Sequence, residues 1–182
     1  MTANLRAEEI LTFWTEAGRE AWFRCDAEFD ATIRERFGAL CRGAVEGALD
    51  GWCTEPRGTL ALILLLDQFP RNIHRGNPSA FAADEKARAV AEEAIEKGFD
   101  AAFEGDIRRF FYLPFMHAED AACQERAITL CAAAGDEEGE RFARDHADII
   151  RRFGRFPHRN RTLGRAPTPE ETRFLDEGGF SA

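Results

Sequence analysis

The chain lacks several features, and each absence removes a class of protein. A membrane-spanning helix needs about 20 consecutive apolar residues, and the most apolar run, Leu60 to Leu66, is far shorter. The segment Met1 to Glu9 holds an early Arg6 but no apolar signal-peptide core, which predicts a cytoplasmic location. Cys25, Cys41, Cys53, Cys123 and Cys131 are odd in number and form no C-x-x-C pair, which argues against a disulfide framework or a zinc ribbon and predicts buried free thiols. Positive charge is outweighed: 24 basic against 33 acidic residues give a net charge of -9, which speaks against whole-surface nucleic-acid binding. No alternating strand pattern occurs, nor G-x-G-x-x-G, Walker A, G-x-S-x-G, H-E-x-x-H or a repeat of fixed period.

What is present is helical periodicity punctuated by Gly and Pro. A chain of 182 residues with 45% apolar content and 16 Phe is expected to fold as one domain over 1–182, burying roughly 70% of its unfolded surface. Leu5, Ile10, Leu11, Phe13 and Trp14 predict a first helix stopped by Gly18. Phe29, Ile33, Phe37, Leu40, Cys41, Ala44 and Val45 recur at three and four residues and predict a helix from about Asp26 to Ala48. Thr54 before Glu55-Pro56 reads as the N-cap of a third helix, apolar on every side, which Pro70 should end at Asp67 by moving Phe69 out of the α region. Asn77-Pro78 opens a fourth, whose body runs from Ala83 to Lys97 and is closed by Gly98, and Phe103 to Ala134 divides in two around Pro114. A helix from Gly139 to Phe153 ends at Gly154, and T-P-E-E at Thr168 is a capping box.

Three polar clusters stand at or beyond these helices. Asp67, Gln68, Arg71, Asn72, His74 and Arg75 form the first; His117, Glu119 and Asp120, with Gln124 seven residues after His117, form the second. Arg151 to Arg165 forms the third, with six Arg, one His and no acid. A carboxylate at the end of an apolar helix demands a cationic or hydrogen-bonding partner, so Asp67 reads first as part of a buried ion pair. Arg151 and Arg152 are explained by a helix C-terminus and Asp120 by a helix start, but Arg155, Arg159 and Arg161 lie beyond the helix end. The planar fork of arginine suits carboxylate or phosphate, so Gln68, Arg71, Asn72, Asp120, Arg155, Arg159 and Asn160 are candidate ligand-binding residues. Asp67 or Glu119 as base, with His117 or His158 as acid, are the catalytic candidates for a hydrolytic or proton-transfer site, provided the clusters converge. His117 and Asp120 share a helical spacing but lack a second half-site, so no metal or other cofactor is expected. His146, on an apolar face, reads as a core histidine. Asn160-Arg161-Thr162 is a glycosylation sequon that a cytosolic chain would not use.

L-L-L-D-Q-F-P-R-N, then R-G-N-P-S-A-F, Y-L-P-F-M-H-A-E-D and R-F-G-R-F-P-H-R-N with L-G-R and T-P-E-E resemble, in order and over nearly the whole chain, the bacterial domain-of-unknown-function family 924. The resemblance implies an all-α, tetratricopeptide-like α-α superhelix of about seven to nine helices and no known activity. Its pattern includes Asp67, Gln68, Pro70, Arg71, Asn72, His117, Glu119, Asp120, Arg155, Phe156, Pro157, His158, Arg159 and Asn160. Ala118 stands where a Ser is expected and His74 where an aromatic is common, so neither a hydroxyl at 118 nor an imidazole at 74 can be central here. The partners expected are a small anionic molecule or a peptide, with no membrane and with nucleic acid disfavoured by the acidic charge balance. Three readings stand at this point: an Arg-, His- and Asp-lined pocket for a small anion, with or without hydrolysis; a peptide- or protein-binding scaffold; and, least favoured by the acidic balance, single-stranded RNA on Arg151 to Arg165 with Phe153 and Phe156.

Overall fold

The computed structural model describes residues 3–179. Every regular element among them is helical. In order these are α1 (Ala3–Trp22), α2 (Ala27–Val45), α3 (Pro56–Ile63), α4 (Phe69–Ile73), α5 (Asp84–Glu96), α6 (Leu113–Met116), α7 (Ala121–Ala133), α8 (Glu137–Phe153) and α9 (Pro169–Asp176), joined in places by short 3₁₀ turns. The chain forms two compact units, one of Met1–Arg75 with Ser79–Pro114 and one of Gly76–Pro78 with Phe115–Ala182.

The first unit is built around α3, whose residues from Gly58 onward are buried, and Leu60 to Leu66 are all sealed from solvent. A helix apolar all round can only sit inside others, and α1 and α5 pack on it while α2 packs on α4. Trp14, Phe37, Phe69 and Phe110 fill the centre, with Trp14 edge-on to Phe110 at 5.6 Å and tilted against Phe69 at 5.4 Å. Gly58 is required for close approach: a Cβ there would meet the Trp52 carbonyl oxygen at 2.6 Å. Gly18 breaks the helical path of α1 with φ 74, yet the helix resumes and runs to Trp22. Asp26 caps α2 by accepting from the N–H groups of Glu28 and Phe29.

Three expectations are corrected here. Pro70 does not end the helix. Phe69 stays in the α region (φ -60, ψ -37), and Leu64–Gln68 form a π turn in which the Phe69 N–H bonds the Leu64 carbonyl. The extra residue in that turn absorbs the missing donor and ring bulk of Pro70, so helix continues through it into α4. Thr54 is not the cap of α3; Glu55 holds that place without a side-chain bond, and Thr54 Oγ1 donates to the Gly51 carbonyl inside a 3₁₀ turn. Asn77-Pro78 opens only the 3₁₀ turn Pro78–Phe81, and α5 begins later, at Asp84.

The second unit is organised on the α7–α8 hairpin. Gln124, Ala127, Ile128 and Cys131 of α7 and Gly139, Ala143, His146, Ala147 and Ile150 of α8 are buried, the small residues allowing close helix approach. Asp120 and Asp136 cap the two helices. Gly154, with φ 69, closes α8 as its left-handed C-cap, and its N–H bonds the Ile150 carbonyl. Ile149, Ile150 and Phe156 form a small core flanked by Phe153 and Phe174. The capping box at Thr168 is present, with Glu171 answering the Thr168 N–H.

None of the five cysteines forms a disulfide, but only Cys41 and Cys131 are buried; Cys25 is exposed and Cys53 and Cys123 are half-buried. Burial holds the Cys41 thiol up at about 12, so it is inert. No helix among the described residues is long and apolar enough to cross a membrane.

Candidate functional site

In the first unit, the π turn places Asp67 inward at the centre of the helix, where it is fully buried. It is therefore not at a helix C-terminus as its sequence neighbours suggested. Its partner is local: Gln68 Nε2 donates to Asp67 Oδ2, and Arg71 Nη1 lies 3.2 Å from Asp67 Oδ1 one turn on. Arg71 also grips Asp84 with both terminal nitrogens at 3.0 Å. Burial disfavours the Arg71 charge, but the two carboxylates outweigh it and raise its pKa. Asn72 and Arg75 point elsewhere, to Asp30, at 2.8 Å from Asn72 Nδ2 and 2.7 Å from Arg75 Nε. Burial pushes the Asp30 carboxyl up, while Arg75 and Asn72 together hold it below its ordinary value. His74 is exposed.

In the second unit, the strap after Gly154 folds back on the loop before α7. Glu119 Oε1 accepts the Phe156 N–H at 2.8 Å and Arg165 Nη2 at 2.9 Å, and Oε2 accepts Arg165 Nη1 at 2.6 Å. Arg165 further bonds the Phe156 carbonyl at 3.1 Å and Asn160 Oδ1 at 2.9 Å. Burial raises the Glu119 carboxyl, but the Arg165 fork and the Phe156 N–H outweigh it, so its pKa is lowered. Arg155 forms a second clamp, on Glu171, at 2.6 and 2.8 Å. Arg155 is the main cause that holds the Glu171 carboxyl down at about 2. Asp120 Oδ1 accepts the Cys123 N–H at 2.9 Å as the α7 cap.

These clamps present one ring and its neighbours. Phe156 is sealed from solvent. The guanidinium of Arg159, itself 7% exposed, lies 4.6 Å over that ring. His158 is tilted against the ring at 5.5 Å and His146 is edge-on at 5.7 Å. His146 is the buried histidine its apolar face implied, with Nδ1 at 2.7 Å from the Phe142 carbonyl. Burial, then the charge of Arg159, then His146 depress His158 to about 4, and His117 adds in the same direction. Burial likewise lowers His146. At neutral pH both imidazoles are uncharged, so each offers one donor and one acceptor.

The second and third sequence clusters thus meet within one unit. Sequence reasoning passed over Arg165 and Glu171 as site-forming residues. Arg165 stood in plain view as the last arginine of the run, and Glu171 was legible only as part of a capping box. Asn160 is 3% exposed, so the sequon is closed to glycosylation by burial as well. No group of three metal-ligating side chains comes together among the described residues.

The model of a bacterial protein family of unknown function, DUF924, matches residues 10–179. The chain belongs to this family. A solved structure of a protein of unknown function from Agrobacterium tumefaciens is similar at 47% identity, with a TM-score of 0.93 over 97% of this chain and 100% of that one. No curated protein matches. Family membership and that similarity together establish the all-helical fold and bring no activity with them.

Proposed function

We propose that the protein binds a small anionic molecule in its second unit, at the face formed by Arg159, His158 and His117. The observation that supports this is the arrangement around Phe156: a nearly buried guanidinium stacked on the ring, with His158 and His146 against the same ring. A guanidinium so placed is held in one orientation, and its planar geometry suits carboxylate or phosphate. The Arg165 fork and the Phe156 N–H hold the Glu119 pKa down, which makes it a poor proton acceptor at neutral pH, and Asp67 is sealed from solvent with an arginine on one oxygen, so binding is better supported than hydrolysis. Asp67, Gln68, Arg71, Asn72, Asp120 and Arg155 serve in this reading to build the scaffold, and Asn160 to orient the strap.

The tetratricopeptide-like peptide scaffold ranks second. Among the described residues the large exposed apolar ones are Leu5, Phe23 and Val45, scattered over α1, α2 and the turn between them, and they supply no row of anchors. A cytoplasmic location is the setting we propose for either role.

A thermal-shift panel with phosphate, nucleotides and dicarboxylates tests the proposal, since a ligand at 100 times its Kd adds about 2.7 kcal/mol. The expected result is a rise in Tm with at least one anion that is lost in Arg159→Lys and kept in Arg155→Ala, with circular dichroism confirming that both variants fold. No rise with any anion, or a rise undiminished in folded Arg159→Lys, overturns it.

A further inference from the structure

We infer that the segment from Arg19 to Cys25 is a flap hinged at Gly18, which opens and closes over the aromatic core of the first unit with Trp22 as its latch.

Gly18 lies inside α1, before the single turn Arg19–Trp22, with φ 74 and ψ 170. Glycine is essentially the one residue that adopts this region. A Cβ on Gly18 would meet nothing within 4 Å, so what excludes other residues there is the backbone conformation and not a lack of space. The break folds the chain back on itself. In an unbroken helix Trp22 would stand about 12 Å beyond Trp14 along the axis. Here the two indoles stack at 5.9 Å and 11°, and Trp22 Nε1 donates to the Trp14 carbonyl at 2.6 Å. The same ring is edge-on to Phe110 at 5.0 Å. Trp14 and Phe110 are sealed from solvent while Trp22 is half-buried, so Trp22 is the outermost ring of the group and covers the other two.

The remainder of the segment faces water. Arg19, Glu20, Phe23, Arg24 and Cys25 are exposed. Arg19 Nη1 reaches Asp106 Oδ2 at 3.5 Å, with the two side chains 44% and 40% exposed, an arrangement that solvent screens. Arg24 bonds Glu20 and Asp26, inside the segment and at its border. Phe23, 58% exposed, lies edge-on to Trp22. A segment with so few buried apolar contacts opens at a lower free energy than the core it covers.

The chain on either side stays in place. Trp14 is fully buried in α1, and Asp26 is fixed as the cap of α2. The eight residues from Gly18 to Cys25 can span about 26 Å when extended, far more than the roughly 10 Å between packed helices, so opening strains neither helix. It needs a dihedral change at Gly18 and release of the Trp22 N–H, and it uncovers the face of Trp14. A single residue at an element's end that absorbs such a change is how hinges are built.

The test is hydrogen exchange of the full chain, followed by NMR at rising urea below the unfolding transition. It is read at the Trp22 indole N–H and at the backbone amides of Ile33 and Phe37, both buried in α2. The expected result is a Trp22 rate that urea hardly alters, while the rates at Ile33 and Phe37 climb with urea as unfolding does. In Gly18→Ala the Trp22 rate should rise roughly tenfold or more, because alanine disfavours the closed backbone and not the open one. Rotation of the Trp22 ring alone would leave that rate unchanged, since the backbone is then the same with the ring in or out. A Trp22 rate that climbs with urea in step with Ile33 and Phe37 overturns the inference. So does a Trp22 rate unaltered in folded Gly18→Ala.

Discussion

Glu119 and Arg165 form a two-oxygen, two-nitrogen clamp at 2.6 and 2.9 Å that also encloses the peptide of Phe156, whose N–H goes to Glu119 and whose carbonyl goes to Arg165. The pair is half-buried, at 24% and 23% side-chain exposure, so part of its Coulomb energy is screened. Glu119→Ala should cost about 2 kcal/mol in urea unfolding, because Arg165 and the Phe156 N–H lose their acceptor together. Glu119→Gln should cost less, since one amide oxygen can still accept. An alanine variant as stable as wild type would remove the clamp from any role in holding the strap.

Asp67 and Arg71 make the corresponding prediction in the first unit. Asp67 is 1% exposed on its side chain, and Asp84 is 16% exposed. Asp67→Ala should destabilise by about 3 kcal/mol, leaving Arg71 and Gln68 short of an acceptor in the interior. Asp84→Ala should cost clearly less, because water can replace its oxygens. Chemical denaturation of the two variants side by side checks the order, and equal losses would contradict it.

Acid stability should turn on His158. Its folded pKa of about 4 lies below the ordinary histidine value of 6.5, so between these values the unfolded chain binds a proton that the folded chain refuses. Stability is therefore complete above pH 6.5, falls as pH drops toward 4, and stops falling on this account below that. A contribution on the order of 1 to 3 kcal/mol is expected. Histidine ring shifts in NMR should show His158 neutral at pH 5.5, and the acid-side slope should shrink in folded His158→Phe. A His158 that titrates near 6.5 would refute this.

Cooperativity can be tested without any substitution. Trp14, Trp22 and Trp52 all belong to the first unit, whereas far-ultraviolet circular dichroism reports helices of both. A single domain, as chain length leads one to expect, should give coincident urea transitions by fluorescence and by circular dichroism. Separated midpoints would mean that the units unfold independently.

Some of this was legible along the chain. Asp26, Gly98, Gly154 and Thr168 mark helix ends because caps and left-handed glycines act within a few residues, and all four do so here. The all-helical class followed from period alone. Pro70 misled because its local rule was overridden: a π turn two residues earlier kept Phe69 helical, and only the packing of a fully buried helix makes that turn worthwhile. Thr54 misled because the 3₁₀ turn before α3 took its hydroxyl.

The candidate site divides the same way. That an arginine-rich strap would need carboxylates could be foreseen, since the run from 151 to 165 holds no acid of its own. Which carboxylate answers which arginine could not, because Glu119 reaches Arg165 across 46 positions and Glu171 reaches Arg155 across 16. Residue order thus determined the helices, their caps and the concentration of charge, all short-range properties of a chain. Tertiary structure alone decided that Asp67, Glu119 and Arg155 are each held in an ion pair while Arg159, His158 and His146 gather against the Phe156 ring. Burial and partner choice are set by side chains far apart in sequence, and the cost of an unpaired buried charge selects among them only once the chain is folded.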